Sequence, residues 1–317
     1  MIEKGKAGRI NRLARPLGVE LELVNVSQLV RATPNWHWEH DGTVHDDNGN
    51  RGKELVLPPL SGDNYVSEIS NVMDYIETYA ATVNKTCGFH VHVQSGDLSW
   101  MDIRRAILLW CRIEHEVFGT LVDKKRAETP ENGHHYCIPL VGTVYKWQFA
   151  ESSLLAMMRP RLKDESQVYN WLINKLYGLN VKPPKIIANN DGRAEARGKD
   201  LATHERIVRQ FERIKENKRT PGDVGGHGCR YSAFNLHSHF YRGTIEFRLK
   251  EGTLDHEDVL FWPLFCGWLV ESVVHFADSE IWREVQGLED WCKIATFVQP
   301  TVIDWVKERI ANAAAKG

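Results

Sequence analysis

The chain lacks a Cys-x-x-Cys pair, an internal repeat, a low-complexity tract and a large excess of charge of either sign. Its 6 cysteines stand singly, which argues against a cysteine-paired zinc site and indicates reduced thiols packed as small hydrophobic residues. The 40 Lys and Arg against 42 Asp and Glu give a net charge of -2. That balance argues against a large nucleic-acid footprint, although a local basic groove stays compatible with it.

Long hydrophobic runs are also missing. The most apolar segment, 259–276, contains Pro263 and Glu271, so it predicts a buried helix rather than a membrane span. No apolar stretch follows the charged N-terminal residues, and we therefore expect no signal peptide and a cytoplasmic location. With 317 residues, 42% of them hydrophobic, the chain can bury a large core. We expect one domain over 1–317, with a mainly helical insert at about 146–220.

Three short segments, 18–23, 88–93 and 244–249, alternate apolar residues with ionisable ones. Because successive side chains of a strand point to opposite faces, each segment predicts a strand with an apolar face and an ionisable face. For any one strand, a solvent-facing side is the ordinary explanation. Solvent faces usually mix Lys, Thr, Ser and Gln, however, whereas the set here, diluted only by Thr244, is Glu20, Glu22, His90, His92, Glu246 and Arg248. These side chains are the ligands of a divalent-cation and phosphate site.

A fourth segment adds to this set. The residues 41–43, Asp-Gly-Thr, predict a turn, and 52–60 predict a short strand that is stopped by Pro58 and Pro59. Glu54 opens this otherwise apolar strand.

Two helices are expected around the His strand. Apolar residues at helical spacing predict a helix over 63–83, and Ser99 is the expected cap of a helix that runs through Val117. The triplet Glu-His-Glu at 114–116 lies on this second helix, and we interpret it mostly as an exposed side.

A hairpin is predicted over 230–249, with its turn at 241–243. Three polar residues would share one face of its first strand: Asn235, His237 and His239. A second metal site built from the two histidines is conceivable, but polar residues on a sheet rim are the preferred explanation.

These motifs, taken in their order and spacing, resemble the amidoligase family. That family is a branch of the carboxylate-amine ligases that share the fold of glutamine synthetase and gamma-glutamylcysteine synthetase. The resemblance rests on Gly-Val-Glu-Leu-Glu at 18–22, Asp41-Gly42-Thr43 with Glu54-Leu-Val-Leu-Pro-Pro-Leu, Thr86-Cys-Gly-Phe-His-Val-His-Val, Arg230-Tyr231 with Asn235, and Thr244-Ile-Glu-Phe-Arg with Gly252-Thr253. Each motif alone is weak, and only the set is specific.

The resemblance implies an α+β fold like the catalytic domain of glutamine synthetase, with a curved, mostly antiparallel sheet and helices packed on its outer face. It implies ATP- and metal-dependent ligation of a carboxylate to an amine through an acyl phosphate. The substrates would be small molecules, peptides or proteins, with neither nucleic acid nor membrane as partner. The chain is short and shows no second domain, which puts the ring assemblies of glutamine synthetase in doubt.

The resemblance also implies roles for single residues. One metal, which bridges the nucleotide phosphates, would be held by Glu20, His90 and Glu246. A second metal, nearer the acceptor carboxylate, would be held by Glu22 and Glu54. Further contacts to nucleotide, phosphate or substrate would come from Arg248, His92, Arg230 and Asn235, with Arg248 on the phosphate in transfer. Mg2+ is the expected ion and Mn2+ a substitute that suits a His ligand better.

Two loops stay open to more than one explanation. The loop 129–137 contains His134 and His135, which are either a metal loop or, as we prefer, simple loop polarity. In the family an Arg and a Tyr fall in a comparable place, so Arg126 and Tyr136 could face the substrate. The Gly-rich segment 221–228 lacks the Lys-Ser/Thr ending of a P-loop, and it is either a loop that closes over nucleotide or a linker.

Two other functions remain open. A metal-dependent amide hydrolase could use the same Glu and His residues to activate water, particularly if His237 and His239 joined the site. A catalytically degenerate relative could bind without turnover. Nucleotide binding separates these alternatives, because a hydrolase should ignore ATP and a degenerate binder should not turn it over.

Overall fold

The computed structural model describes residues 13–26, 35–78, 81–127, 137–145, 147–150, 164–177, 186–188, 194–196 and 228–316, together with residues 152 and 154. Most of the predicted insert at 146–220 lies outside the described residues, as do His134, His135, Tyr136 and nearly all of the Gly-rich segment 221–228.

One antiparallel sheet of six strands organises the chain. Its strands are β1 (Leu17–Leu23), β2 (His37–Glu39), β3 (Lys53–Leu60), β4 (Gly88–Gln94), β7 (Phe234–Asn235) and β8 (Thr244–Glu251). The order across the sheet is β2-β3-β1-β4-β8-β7, so the sheet is open, with short strands at both edges. The three alternating segments of the sequence are confirmed as the neighbouring strands β1, β4 and β8. A separate pair, β5 (Ile186–Ala188) and β6 (Ala194–Ala196), lies within the predicted insert.

Helices complete an α+β fold. They are α1 (Gly62–Thr78), α2 (Trp100–Thr120), α3 (Glu165–Tyr177), α4 (His237–Arg242), α5 (His256–His275), α6 (Asp278–Glu284), α7 (Leu288–Ile294) and α8 (Pro300–Lys316). The expected cap of α2 is confirmed, because Ser99 and Asp102 form a reciprocal capping box at its first turn.

Helix α5 is the predicted apolar segment, and it packs against β1 and β4 as a core helix. Aromatic rings fill the space between sheet and helices: Trp110 stacks on Phe234 at 5.2 Å between ring centroids and meets the edge of Phe247 at 5.4 Å. Among the described residues, no helix has the length and apolar character that crossing a membrane requires. All six cysteines are free and buried, as predicted.

The strand β3 ends at Leu60, as the predicted range 52–60 does, but Pro58 and Pro59 lie inside it and do not stop it. Its Leu57 pairs with Val19, and Leu60, three residues on, pairs with Leu17, so that β3 carries one extra residue at Pro58 and Pro59. The edge strand β2 pairs only with positions 54–56 of β3. Proline is tolerated at bulges and where no neighbouring strand needs its missing N–H, which is why the two prolines do not stop the strand.

A second bulge lies in β8 beside the ionisable face. Phe247 pairs with Val91, and Lys250, three residues on, pairs with Phe89. The extra residue lies between Phe247 and Lys250, and it turns Lys250 to the face that carries the core.

The hairpin predicted over 230–249 is wrong in its first half. The strand β7 has two residues and is followed by helix α4, not by a turn. The Asn235 side chain accepts a hydrogen bond from the N–H of His237 at 2.9 Å, which starts the helix, and Gly243, with φ 70°, ends it. His237 and His239 therefore lie on a helix and not on a sheet rim.

The interpretation of Glu114 as part of an exposed side is also wrong. Glu114 is 2% exposed, and its carboxylate accepts hydrogen bonds from Trp110 Nε1 and from the N–H groups of Leu140 and Val141, each at 2.7 Å. It therefore ties α2 to the segment at 140–141. His115, next to it, is exposed as expected.

Candidate active site

Cross-strand pairing places the ionisable residues of β1, β3, β4 and β8 on one side of the sheet, here called the polar face. Glu20 lies opposite His90, Glu22 opposite Glu54, and His92 opposite Glu246. Directly opposed residues of an antiparallel pair share a face, and apolar neighbours such as Val19, Leu21, Val91 and Phe247 point to the core. The residues of the polar face are Glu20, Glu22, Glu54, His90, His92 and Glu246.

Glu20 lies at the centre of the polar face. Its Oε1 is 3.1 Å from Nε2 of His92, and its Oε2 is 3.4 Å from Nδ1 of His90. Two groups of three residues hold their potential ligand atoms within 4.8 Å of one another, and both contain Glu20. The first group is Glu20, Glu54 and His90, and the second group is Glu20, His92 and Glu246. The two oxygens of one carboxylate thus face two candidate metal sites.

Glu22 lies beside the first group. Its Oε2 accepts the N–H of Gly88 at 2.5 Å, and its Oε1 is 3.8 Å from Nε2 of His90. A Cβ on Gly88 would stand 2.8 Å from His90 Nε2, 3.2 Å from Glu22 Oε2 and 3.4 Å from Nη2 of Arg126. The absence of a side chain at Gly88 therefore lets these three groups approach one another.

Glu246 of the second group is held by two neighbours. Its Oε2 accepts a hydrogen bond from Nδ2 of Asn235 at 2.7 Å, and its Oε1 forms an ion pair with Nη1 of Arg248. Burial would raise the pKa of Glu246, but the charges of Arg248 and His92 outweigh it and lower that pKa to about 2. Glu246 is therefore ionised at neutral pH.

Glu20 and Glu54 have opposite pKa shifts. Burial raises the pKa of Glu54 to about 9, and the charges of Glu20 and Glu22 add to the shift. Burial also opposes the ionisation of Glu20, but hydrogen bonds from His90 and His92 outweigh it and hold the pKa of Glu20 well below its ordinary value. The first group thus contains one ionised and one protonated carboxyl, which a divalent cation could convert into two carboxylates.

His92 links the two sides of the second group. Burial would lower its pKa, but the charges of Glu246 and Glu20 raise it above the ordinary value. Its Nδ1 lies 3.1 Å from Oγ1 of Thr244 and 3.5 Å from Oγ of Ser238, which orient the ring. Its Nε2 faces both Glu20 and Glu246, so a proton there and a cation shared by the three residues would compete for one position.

The grouping differs from the one that the family resemblance implies. His92, rather than His90, is the histidine beside Glu246, at 3.9 Å, because it is His92 that lies opposite Glu246 in the sheet. His90 belongs with Glu54 instead. Strand alternation correctly placed all these side chains on one face, but the register between strands is not visible in any single strand.

Of the other two residues expected at the site, Asn235 contacts the polar face and Arg230 forms no ion pair with it among the described residues. Asn235 is buried, and its amide is already hydrogen bonded to Glu246 and to the helix α4, so it orients Glu246. Arg230 is half-buried, with its guanidinium 5.3 Å from the centre of the Tyr231 ring. Within the described part of the chain, no ion pair joins Arg230 to the carboxylates of the polar face.

One residue at the site was missed from the sequence. Nη1 of Arg242 lies 3.5 Å from Glu20 Oε1 and 3.4 Å from Nε2 of His92. The sequence predicts this arginine in a hairpin turn. A helix signal was present, in the form of an Asn that can start a helix and a Gly eight residues later that can end it.

The histidines of α4 lie apart from both groups. Nδ1 of His239 is 2.8 Å from Oγ of Ser95, and its ring meets Trp100 edge-on at 5.2 Å. Burial lowers the pKa of His239 to about 4. In the described ranges, neither His237 nor His239 belongs to a group that could hold a metal.

Comparison with known proteins gives a single finding. A family model with the description "Putative amidoligase enzyme" matches residues 13–170 and 183–270. This description indicates a ligase that forms amide bonds. Comparison with curated proteins and comparison with solved structures give no match. Because the family model covers most of the chain and every strand of the six-stranded sheet, the chain belongs to the amidoligase family.

Proposed function

We propose that this chain is an ATP- and divalent-metal-dependent ligase that joins a carboxylate to an amine through an acyl phosphate, on a sheet like that of the glutamine synthetase catalytic domain. One observation carries the proposal. Glu20 presents one oxygen to each of two three-residue ligand groups, and Arg248 lies against Glu246 of the second group. Carboxylates, imidazoles and a guanidinium on one face are what the joining of a nucleotide phosphate to a carboxylate requires.

The donor atoms suit a divalent cation. Each group supplies two carboxylates and one imidazole, a set acceptable to Mg2+ and better suited to Mn2+. Ligands about 2.1 Å from Mg2+ lie at most about 4.2 Å apart, so groups whose atoms lie within 4.8 Å need to contract only slightly. When bound, the metal would neutralise phosphate charge.

The chain itself supplies a buried cation for the two chemical steps. A carboxylate oxygen must attack the γ-phosphorus while ADP leaves. An amine must then attack the acyl carbon while phosphate leaves and the amine nitrogen releases a proton. Both steps bring anions together or expel one, so a buried cation beside them lowers the barrier. Arg248, with 17% of its side chain exposed, supplies a cation there, and Glu246 fixes its position.

ADP release tests the proposal directly. We expect the wild type to release ADP from Mg2+-ATP when it is supplied with pools of amino acids and peptides as carboxylate and amine. Glu20→Gln should abolish release, because it weakens both ligand groups at once. Glu308→Gln, an exposed carboxylate on α8, is the matched control and should behave as the wild type does. Bound ATP without turnover would indicate a degenerate relative, and failure to bind ATP would contradict the proposal.

Arg248→Lys examines the phosphoryl step. Lysine keeps a cation near Glu246 but loses the planar fork that can hold two phosphate oxygens. We expect metal-ATP binding to be retained and turnover to fall about a hundredfold, the scale of one strong transition-state hydrogen bond. A lower melting temperature with turnover intact would instead make Arg248 a structural partner of Glu246 alone.

A metal-dependent hydrolase would have been favoured by His237 and His239 joining the metal site. His239 contacts Ser95 and Trp100, and neither His237 nor His239 belongs to a candidate ligand group among the described residues. We therefore propose no second function.

A further inference from the structure

The short helix α4 brings Arg242 to the rim of the polar face. The helix begins where Asn235 accepts the N–H of His237, and it ends at Gly243 in the left-handed conformation. Its last residue is Arg242, whose Nη1 lies 3.5 Å from Glu20 Oε1 and 3.4 Å from His92 Nε2. A guanidinium thus stands at the Glu20 side of the second group.

Arg242 and Arg248 differ in how far a ligand can reach them. The Arg248 side chain is 17% exposed and forms an ion pair with Glu246. The Arg242 side chain is 44% exposed, while still within ion-pair distance of Glu20. Two guanidiniums therefore flank the second group, and the one on α4 offers more of its surface to an arriving molecule.

On the basis of the proposed function, we propose that Arg242 binds an anionic oxygen group of a substrate, a phosphate or a carboxylate, at the rim of the second group. A divalent cation held by Glu20, His92 and Glu246 would have Arg242 and Arg248 as close neighbours of like charge. An anion bound at the Arg242 guanidinium would offset this repulsion. The planar fork of arginine can hold two oxygens of such an anion at once.

A purely structural role for Arg242 makes a different prediction. If Arg242 only balances the charge of Glu20, its loss should lower the melting temperature and leave anion binding unchanged. Ion pairs as exposed as this one usually contribute little to folding stability. Loss of Arg242 therefore changes anion affinity if the residue binds a substrate, and only the melting temperature if it balances the charge of Glu20.

Binding measured by calorimetry separates them, with Mn2+ alone, tripolyphosphate with Mn2+, and L-glutamate with Mn2+ as probes. We expect Arg242→Gln to weaken binding of one of the two anions at least tenfold and Arg242→Lys to weaken it less. Affinity for Mn2+ alone should stay equal or rise, because a neighbouring cation is removed. Whichever anion responds identifies the source of the oxygen group. The matched control is Arg283→Gln, an exposed arginine on α6, which should leave all three titrations unchanged.

Equal anion affinity in wild type and both Arg242 variants would overturn the inference, and so would a wild type that binds neither anion. The proposed function fails separately. If tripolyphosphate or glutamate binding depends on Arg242 but ADP is never released, the anion site stands and the ligase does not.

Discussion

At the scale of single residues, identical side chains on one face have opposite acid-base behaviour. Glu20 is ionised because hydrogen bonds from two histidines outweigh its burial, whereas burial, with the charges of Glu20 and Glu22 added, raises the pKa of Glu54 to about 9. The site therefore holds a proton that a metal must displace at neutral pH. Such a difference follows from neighbours contributed by other strands, so the sequence around Glu54 does not reveal it.

Gly88→Ala should impair the first group without much loss of stability. Its new Cβ would stand 2.8 Å from His90 Nε2, the tip of a side chain that can move aside at small cost. The displaced ring would no longer meet Glu20 and Glu54 in the present geometry. We expect at least tenfold weaker Mn2+ binding by calorimetry, with a melting temperature within a few degrees of the wild type.

Gly96→Ala is the control for that experiment. A Cβ on Gly96 would make only ordinary contacts, the nearest being the carbonyl oxygen of Gly243 at 3.6 Å. Unchanged metal affinity in Gly88→Ala would show that His90 does not need its present position.

At the scale of elements, the bulge in β8 places two nearby cations, Arg248 and Lys250, on opposite faces of the sheet. Arg248 forms an ion pair with Glu246 of the polar face, whereas Lys250 is turned inward and is 2% exposed. Nζ of Lys250 donates to the carbonyl oxygen of Leu121 at 2.7 Å and lies 2.8 Å from a carboxylate oxygen of Asp258 on α5. Without the bulge, strict alternation would place Lys250 beside Arg248, and two cations would compete at the site.

Glu114, which ties α2 to the segment at 140–141, should make the free energy of unfolding depend on pH. Burial raises the pKa of Glu114 to about 7, although three donors oppose the shift. The folded protein therefore holds this proton more tightly than the unfolded chain does. The stabilising contribution is complete below pH 4.5 and is lost as pH rises to 7, by about 3 kcal/mol in total.

Glu114→Gln provides the measurement. Urea unfolding at pH 5 and pH 8 should show the wild type losing about 2.5 kcal/mol more than the variant between the two values, because part of the total loss already occurs below pH 5. The variant should be less stable at pH 5, since the N–H groups of Leu140 and Val141 bind different carboxylate oxygens and the amide nitrogen that replaces one oxygen cannot accept. Parallel losses in the wild type and in Glu114→Gln would contradict the assignment, and Glu308→Gln should follow the wild type.

Period-two alternation was enough to predict β1, β4 and β8 and to place their Glu, His and Arg side chains together. Alternation failed where a few residues decide the structure. Asn235 and Gly243 turn a predicted strand into α4, and the two bulges add residues that no local pattern marks. Burial of Glu114 depends on Leu140 and Val141, far along the chain, whose N–H groups no helix pattern contains.

At the scale of the whole molecule, the carboxylates of the polar face should couple nucleotide binding to metal. Bare triphosphate would meet the ionised carboxylates of Glu20 and Glu246, and a divalent cation reverses that repulsion. We expect ATP with Mg2+ or Mn2+ to raise the melting temperature. At a ligand concentration a hundredfold above Kd, the free energy of unfolding should increase by about 3 kcal/mol. ATP in excess chelator should give no shift, and an equal shift under both conditions would contradict this expectation.

The position of Glu20 has a consequence for genetics. Because Glu20 belongs to both candidate groups, while His90 belongs to one and His92 to the other, loss of Glu20 is epistatic to loss of either histidine. His90→Ala should therefore weaken metal binding at the first group only, and His92→Ala at the second group only. The double variant should be weakened at both groups. In a Glu20→Gln background, neither histidine substitution should weaken metal binding further, since the carboxylate shared by both groups is already gone.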